Sequence, residues 1–98
     1  MYEFVTIVKA PEFTRPLESQ RCQEEETVKF TCEVNKAGVD LTWIKDGTLL
    51  VPSEGIRIES EGTTHRLIID KAELYKAGTY TAMITRDVQT TAELVVLG

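Results

Sequence analysis

The side chains that could do chemistry in this 98-residue chain are few and badly placed for it. His65 is the only histidine, set in Thr63-Thr64-His65-Arg66 at the start of a strand pattern, where an exposed imidazole is the expected state. A nucleophile needs a base within hydrogen-bond reach and a third group to orient that base, and Ser19, Ser53 and Ser60 lie in no nucleophile motif. A structural zinc ion needs four nitrogen or sulfur ligands, yet neither Cys22 nor Cys32 has a ligand-spaced companion. The carboxylates mostly alternate with apolar residues and so fall on wet faces. One dense run, Glu24-Glu25-Glu26, sits where the chain should turn between strands. It reads as a solvated turn, the sharper alternative being a docking patch for a basic partner. These placements argue for no enzyme, no cofactor and no metal.

The elements that position these groups follow from alternation. Val28, Phe30, Cys32 and Val34 alternate with Lys29, Thr31 and Glu33, the period of a strand with one buried and one wet face. Leu41 and Trp43 repeat the pattern, so the indole faces the same interior as the Cys32 thiol. Leu67 with Ile69, Tyr80 with Ala82 and Ile84, and Ala92 with Leu94 and Val96 supply three more inward rows. Rows of this kind separated by turn signals predict an all-β sandwich of two packed antiparallel sheets, with a small barrel as the alternative. Pro11 and Pro16 place Glu12 to Arg15 at a sheet edge or strand start, and a short strand over 17–22 follows. Asp46-Gly47 predicts a tight turn into a strand over Leu49, Leu50 and Val51, which Pro52 closes. Ile56 to Ile58, 66–70, 79–86 and 89–97 complete the strands, with a helical turn or crossover at 71–76.

Both cysteines are expected to be free. Cys22 lies roughly 13 Å back from the turn at about 3.3 Å per residue, out of step with Cys32, so their separation exceeds the roughly 7 Å that a bridge tolerates. Free thiols suit a reducing compartment, and Asn35 is followed by Lys36 and Ala37 rather than by a glycosylation signal. Both point towards the cytoplasm. Composition agrees with one folded domain: 42% hydrophobic and 28% charged residues, in a chain long enough to bury roughly two-thirds of its unfolded surface. Net charge is −5 and the eleven basic residues are scattered singly, which excludes a nucleic-acid groove. No apolar run reaches the roughly 20 residues that span a bilayer, and the first residues do not look like a signal peptide.

Pro11 and Phe13, Cys32-Glu33-Val34, Leu41-Thr42-Trp43-Ile44-Lys45-Asp46-Gly47, Leu67-Ile68-Ile69 and Ala77-Gly78-Thr79-Tyr80 carry a resemblance. With them, residues 11–97 resemble an intermediate-set immunoglobulin domain, of the kind strung together in giant muscle proteins such as titin, obscurin, twitchin and myosin-binding protein C. The resemblance implies an immunoglobulin-like Greek-key sandwich over 11–98, with Cys32, Trp43, Leu67, Tyr80 and Ala82 in its structural core. Ala82 stands where the family usually has a second cysteine, so no intradomain disulfide forms. Tyr80 would be a tyrosine corner, its hydroxyl bonded back to upstream backbone. Lys76 replaces an aspartate that in the family pairs with an arginine, for which Arg57 is the candidate. That leaves either a like-charge contact or an exposed and neutral position. Residues 1–10 read as a linker or the end of a preceding domain's last strand, or else as an overhang foreign to the domain.

The function so implied is non-catalytic: a structural and interaction module of a tandem array in a sarcomeric or cytoskeletal giant protein, monomeric in isolation. Its partners would be other sarcomeric or cytoskeletal proteins and neighbouring immunoglobulin domains, not nucleic acid or membrane. Docking would use a sheet edge, either Leu49, Leu50 and Val51 or the terminal strand pair. The alternative is an extracellular adhesion or receptor domain, against which the alanine at position 82 argues.

Overall fold

Alternating apolar side chains force each strand to present one face inward, and two sheets close over those faces. The computed structural model describes residues 10–98. Among the described residues nine strands are formed: β1 (Phe13–Arg15), β2 (Gln20–Gln23), β3 (Val28–Val34), β4 (Thr42–Lys45), β5 (Thr48–Leu49), β6 (Ile56–Glu61), β7 (Thr64–Ile69), β8 (Gly78–Thr85) and β9 (Val88–Leu97). A 3-10 turn at Leu74–Lys76 links β7 to β8. One sheet runs β1-β3-β7-β6 and the other β2-β9-β8-β4-β5. Residues 1–10, read above as a linker or overhang, lie outside the described residues except for Ala10.

Among the described residues all strand pairings are antiparallel but one. β2 runs parallel to β9, in register from Gln20↔Leu94 to Gln23↔Leu97. The first stretch of chain is thus divided between the sheets: β1 pairs with β3, and β2 pairs with β9 on the opposite side. Pro16, which has no N–H to give a ladder, stands at the crossing. The strand expected from Leu17 therefore starts at Gln20. Leu17 itself is buried, and its N–H donates to Thr90 Oγ1 at 3.1 Å. β5 is shorter than expected, since Leu50 and Val51 fall outside it, and β6 is longer, reaching Glu61.

The β4–β5 connection shows why the sequence turns there. Asp46 and Gly47 both have positive φ, 49° and 82°, as a two-residue turn of the hairpin-compatible hand requires. The Asp46 carboxylate fastens the turn by accepting from Lys45 Nζ at 2.8 Å and from the Thr79 N–H at 2.9 Å. These donors, Lys45 first and Thr79 second, hold its carboxyl below the usual carboxylate range.

The core lies between the sheets and contains Phe30, Cys32, Trp43, Leu67, Ile69, Tyr80 and Ala82. Phe30 and Tyr80 stack across it at 5.1 Å between centroids. The outer faces differ. On the first sheet, register sets Lys29 and Arg57 on either side of Ile68, and Thr31 and Glu59 on either side of Arg66. Ile68 is only 3% exposed there, as expected where long charged side chains lay their stems over a central strand. On the second sheet, Leu49, Ile44, Thr81 and Thr91 form one cross-strand row, with Thr42, Met83 and Gln89 in the next.

Candidate protein-interaction site

β5 closes one side of the second sheet, and its outer edge is unpaired among the described residues. Lys45↔Thr48 brackets the turn, and the Leu50 N–H donates back to Trp43 O at 2.8 Å. Because successive residues direct their backbone groups to opposite sides, those of Leu49 and Val51 point away from β4. The side chains alternate in the same way. Leu49 and Val51 are 62% and 55% exposed, whereas Leu50 packs against the core. The candidate edge named from sequence thus divides into two outward residues and one inward.

Beside this edge a cleft of about 240 Å³ is lined by the apolar or aromatic Leu50, Ile56, Tyr75 and Tyr80, by the cations Lys45 and Lys76, and by Ser53 and Glu54. Tyr75 is 71% exposed, and the Lys76 ammonium lies 5.8 Å from its ring centre. The Lys45 ammonium stands 5.9 Å over the Tyr80 ring. Under the cleft the Tyr80 hydroxyl donates to Lys76 O at 2.5 Å. Burial, reinforced by the charge of Asp46, pushes that hydroxyl up to about 12. The bond ties β8 to the 3-10 turn and so sets where Tyr75 and Lys76 stand.

Lys76 is neither exposed nor set against Arg57, the two outcomes expected of it. It is 9% exposed, and its ammonium donates to Lys71 O at 2.9 Å with Glu73 Oε1 at 3.8 Å. Arg57 instead grips Asp70 with two nitrogens, Nη2 at 2.7 Å and Nε at 3.2 Å from Oδ1. Each cation found its own oxygen, so the missing aspartate costs no unpaired charge here.

His65 corrects a second expectation. It is 6% exposed, paired in register with Cys32, and its Nε2 has no hydrogen-bond partner among the described residues. The signal was present: His65, Leu67 and Ile69 form one period-2 row, and the imidazole follows its row inward. Burial lowers its pKa, with the charge of Asp40 opposing. The Cys32 thiol is pushed up to about 11 by burial and then by Glu33, so it stays protonated. Cys22 is raised too, chiefly by burial with Glu26 adding to it. The cysteines lie in different sheets and both are free. Among the described residues no group of three metal-ligating side chains converges, and no helix is long and apolar enough to cross a membrane.

A two-sheet sandwich with a buried tryptophan, a tyrosine corner and no disulfide defines the class as an immunoglobulin-like domain. The family model for the Immunoglobulin I-set domain matches residues 11–97, and the chain belongs to that family. It is 42% identical over 85 residues to cardiac-type myosin-binding protein C of Homo sapiens, covering 85% of this chain and 7% of that protein. It is 34% identical over 79 residues to the muscle M-line assembly protein unc-89 of Caenorhabditis elegans, covering 80% of this chain and 1% of that protein. Domain I10 of titin superposes with a TM-score of 0.85 at 28% identity, covering 90% of this chain and 99% of that one. The I9-I11 tandem of titin gives the same score and identity over 33% of its length. The chain therefore spans a small fraction of the muscle proteins it resembles, and its family is that of a structural, non-catalytic domain.

Proposed function

We propose that this domain is a load-bearing and docking module of a tandem immunoglobulin array in a muscle filament protein, at the sarcomere and in the reducing cytoplasm. Its neighbours along the array and other sarcomeric proteins are the partners, and the isolated domain is a monomer. The observation that carries the reading is the parallel β2–β9 pair. β2 begins near the amino-terminal end and β9 finishes near the carboxy-terminal end, so tension on the two ends pulls parallel strands in opposite directions. Their rungs are then loaded together in shear rather than opened one at a time. The muscle relatives and the titin tandem support an array context.

The test is single-molecule stretching of a polyprotein of this domain. Glu24 N–H donates to Leu97 O at 2.8 Å, so Cys22, two residues earlier, directs its N–H to β9 while Arg21 directs its own outward. Cys22→Pro is expected to lower the unfolding force sharply and Arg21→Pro to change it little. Equal forces for the two variants would overturn the shear reading.

A further inference from the structure

We infer that the β5 edge and its cleft bind an extended segment that places an acidic residue between two apolar ones. The inference rests on the docking half of the function proposed above and identifies the chemistry of its partner. Three observations converge. The outward backbone groups of Leu49 and Val51 have no partner among the described residues, and these form the short ladder that an added strand requires. Their side chains, 62% and 55% exposed, lie on the same side of that strand, so the residues of an added strand that flank its central one pack beside them if apolar. The central residue then points the other way, with Leu50, over the cleft.

What it meets there decides its charge. Lys76 is buried to all but 9% of its surface, yet its short hydrogen bond is to an uncharged carbonyl, and its nearest carboxylate, Glu73, stands off at 3.8 Å. Lys45 adds a second ammonium, held by Asp46 at 2.8 Å. The corner as a whole sets Lys45, Lys71 and Lys76 against Glu54, Glu73 and the two ion-pair partners Asp46 and Glu25. It carries only one negative charge of the chain's surplus of −5, the rest of which lies elsewhere. An incoming carboxylate at hydrogen-bond distance gives Lys76 a closer anion than Glu73 at 3.8 Å, beside the apolar side chains of Leu50, Ile56 and Tyr80. A lysine or an amide in that position supplies none. β5 has only two residues in the ladder, so the bound strand is short and the cleft residue carries the selectivity.

The test uses blocked synthetic peptides, acetyl-Ser-Thr-Val-Glu-Val-Thr-Ser-amide and the same peptide with glutamine or lysine at the centre, titrated into the isotope-labelled domain and followed by NMR. The glutamate peptide is expected to shift the Leu49 and Val51 amides and to bind about tenfold tighter than the glutamine one, the preference falling with salt. Lys76→Met, which keeps the stem and drops the charge, is expected to abolish that preference. The unfolding curve of the variant, and the Glu-against-Gln comparison on the unaltered domain, keep the result independent of any folding defect. Equal affinity for the three peptides, or no binding by any, would overturn the proposal. Shifts confined to β2 and β9 would overturn this site while leaving a docking module at the other edge.

Discussion

Trp43 and His65 both bury a ring nitrogen without a hydrogen-bond partner among the described residues, but the consequences differ. An indole N–H stays neutral, and the tryptophan's volume outweighs the unmet bond. Trp43→Ala is expected to cost about 3 to 5 kcal/mol, a large share of the roughly 5 to 15 that holds such a domain, measured by chemical denaturation. An imidazole can take up a proton. Burial holds the folded His65 below its ordinary value, whereas the unfolded imidazole titrates near about 6.5, so the unfolded chain binds the proton first. Stability from this site is complete above that pH and declines as pH falls through the unfolded pKa towards the folded one. His65→Leu is expected to flatten the melting temperature over that window, and an unchanged slope would place the sensitivity elsewhere. Ala82 and Cys32, both fully buried, invite a third experiment: Ala82→Cys is expected to oxidise to a bridge and add about 2 to 4 kcal/mol, with thiol titration under denaturing conditions as the check.

At the scale of the element, the tyrosine corner is the fastening that the Ala77-Gly78-Thr79-Tyr80 run advertised. Tyr80→Phe keeps the ring against Phe30 but strands the Lys76 carbonyl, an expected loss of about 1 to 3 kcal/mol by denaturant titration. β3, β4, β7, β8 and β9 were legible because period-2 alternation reports which face of a strand is buried. It does not report which strand lies alongside: the side-by-side setting of β2 and β9 followed from the family resemblance and the break before Leu17 from Pro16, whereas the start of β2 at Gln20 was not legible. The length of β5 was hidden as well: Leu49-Leu50-Val51 has strand composition, but the ladder with β4 holds only Thr48 and Leu49, and Leu50 adds a single bond to Trp43 O before Pro52. Lys76 was misjudged because composition makes a lysine exposed by default, while its ammonium found Lys71 O, an acceptor supplied by backbone geometry alone. Of the candidate edge, the sequence showed apolar residues beside a turn; the cleft depends on the 3-10 turn folding back towards them.

On the scale of the whole molecule, every open edge among the described residues is either brief or charged. β1 and β5 have three and two residues, β2 carries Arg21, and β6 alternates Arg57, Glu59 and Glu61. Two copies fused in tandem meet at roughly millimolar effective concentration, where an unfolded copy can pair with its neighbour instead of with itself. Replacing Arg57, Glu59 and Glu61 by valine is expected to leave the single domain folded but to raise the misfolded fraction when a fused pair is refolded, counted by repeated stretch and release. The salt links of β6 are too exposed to matter much for holding one domain together. Their value lies between domains: they keep identical neighbours strangers, so that a chain which has been pulled apart finds its own sheets again.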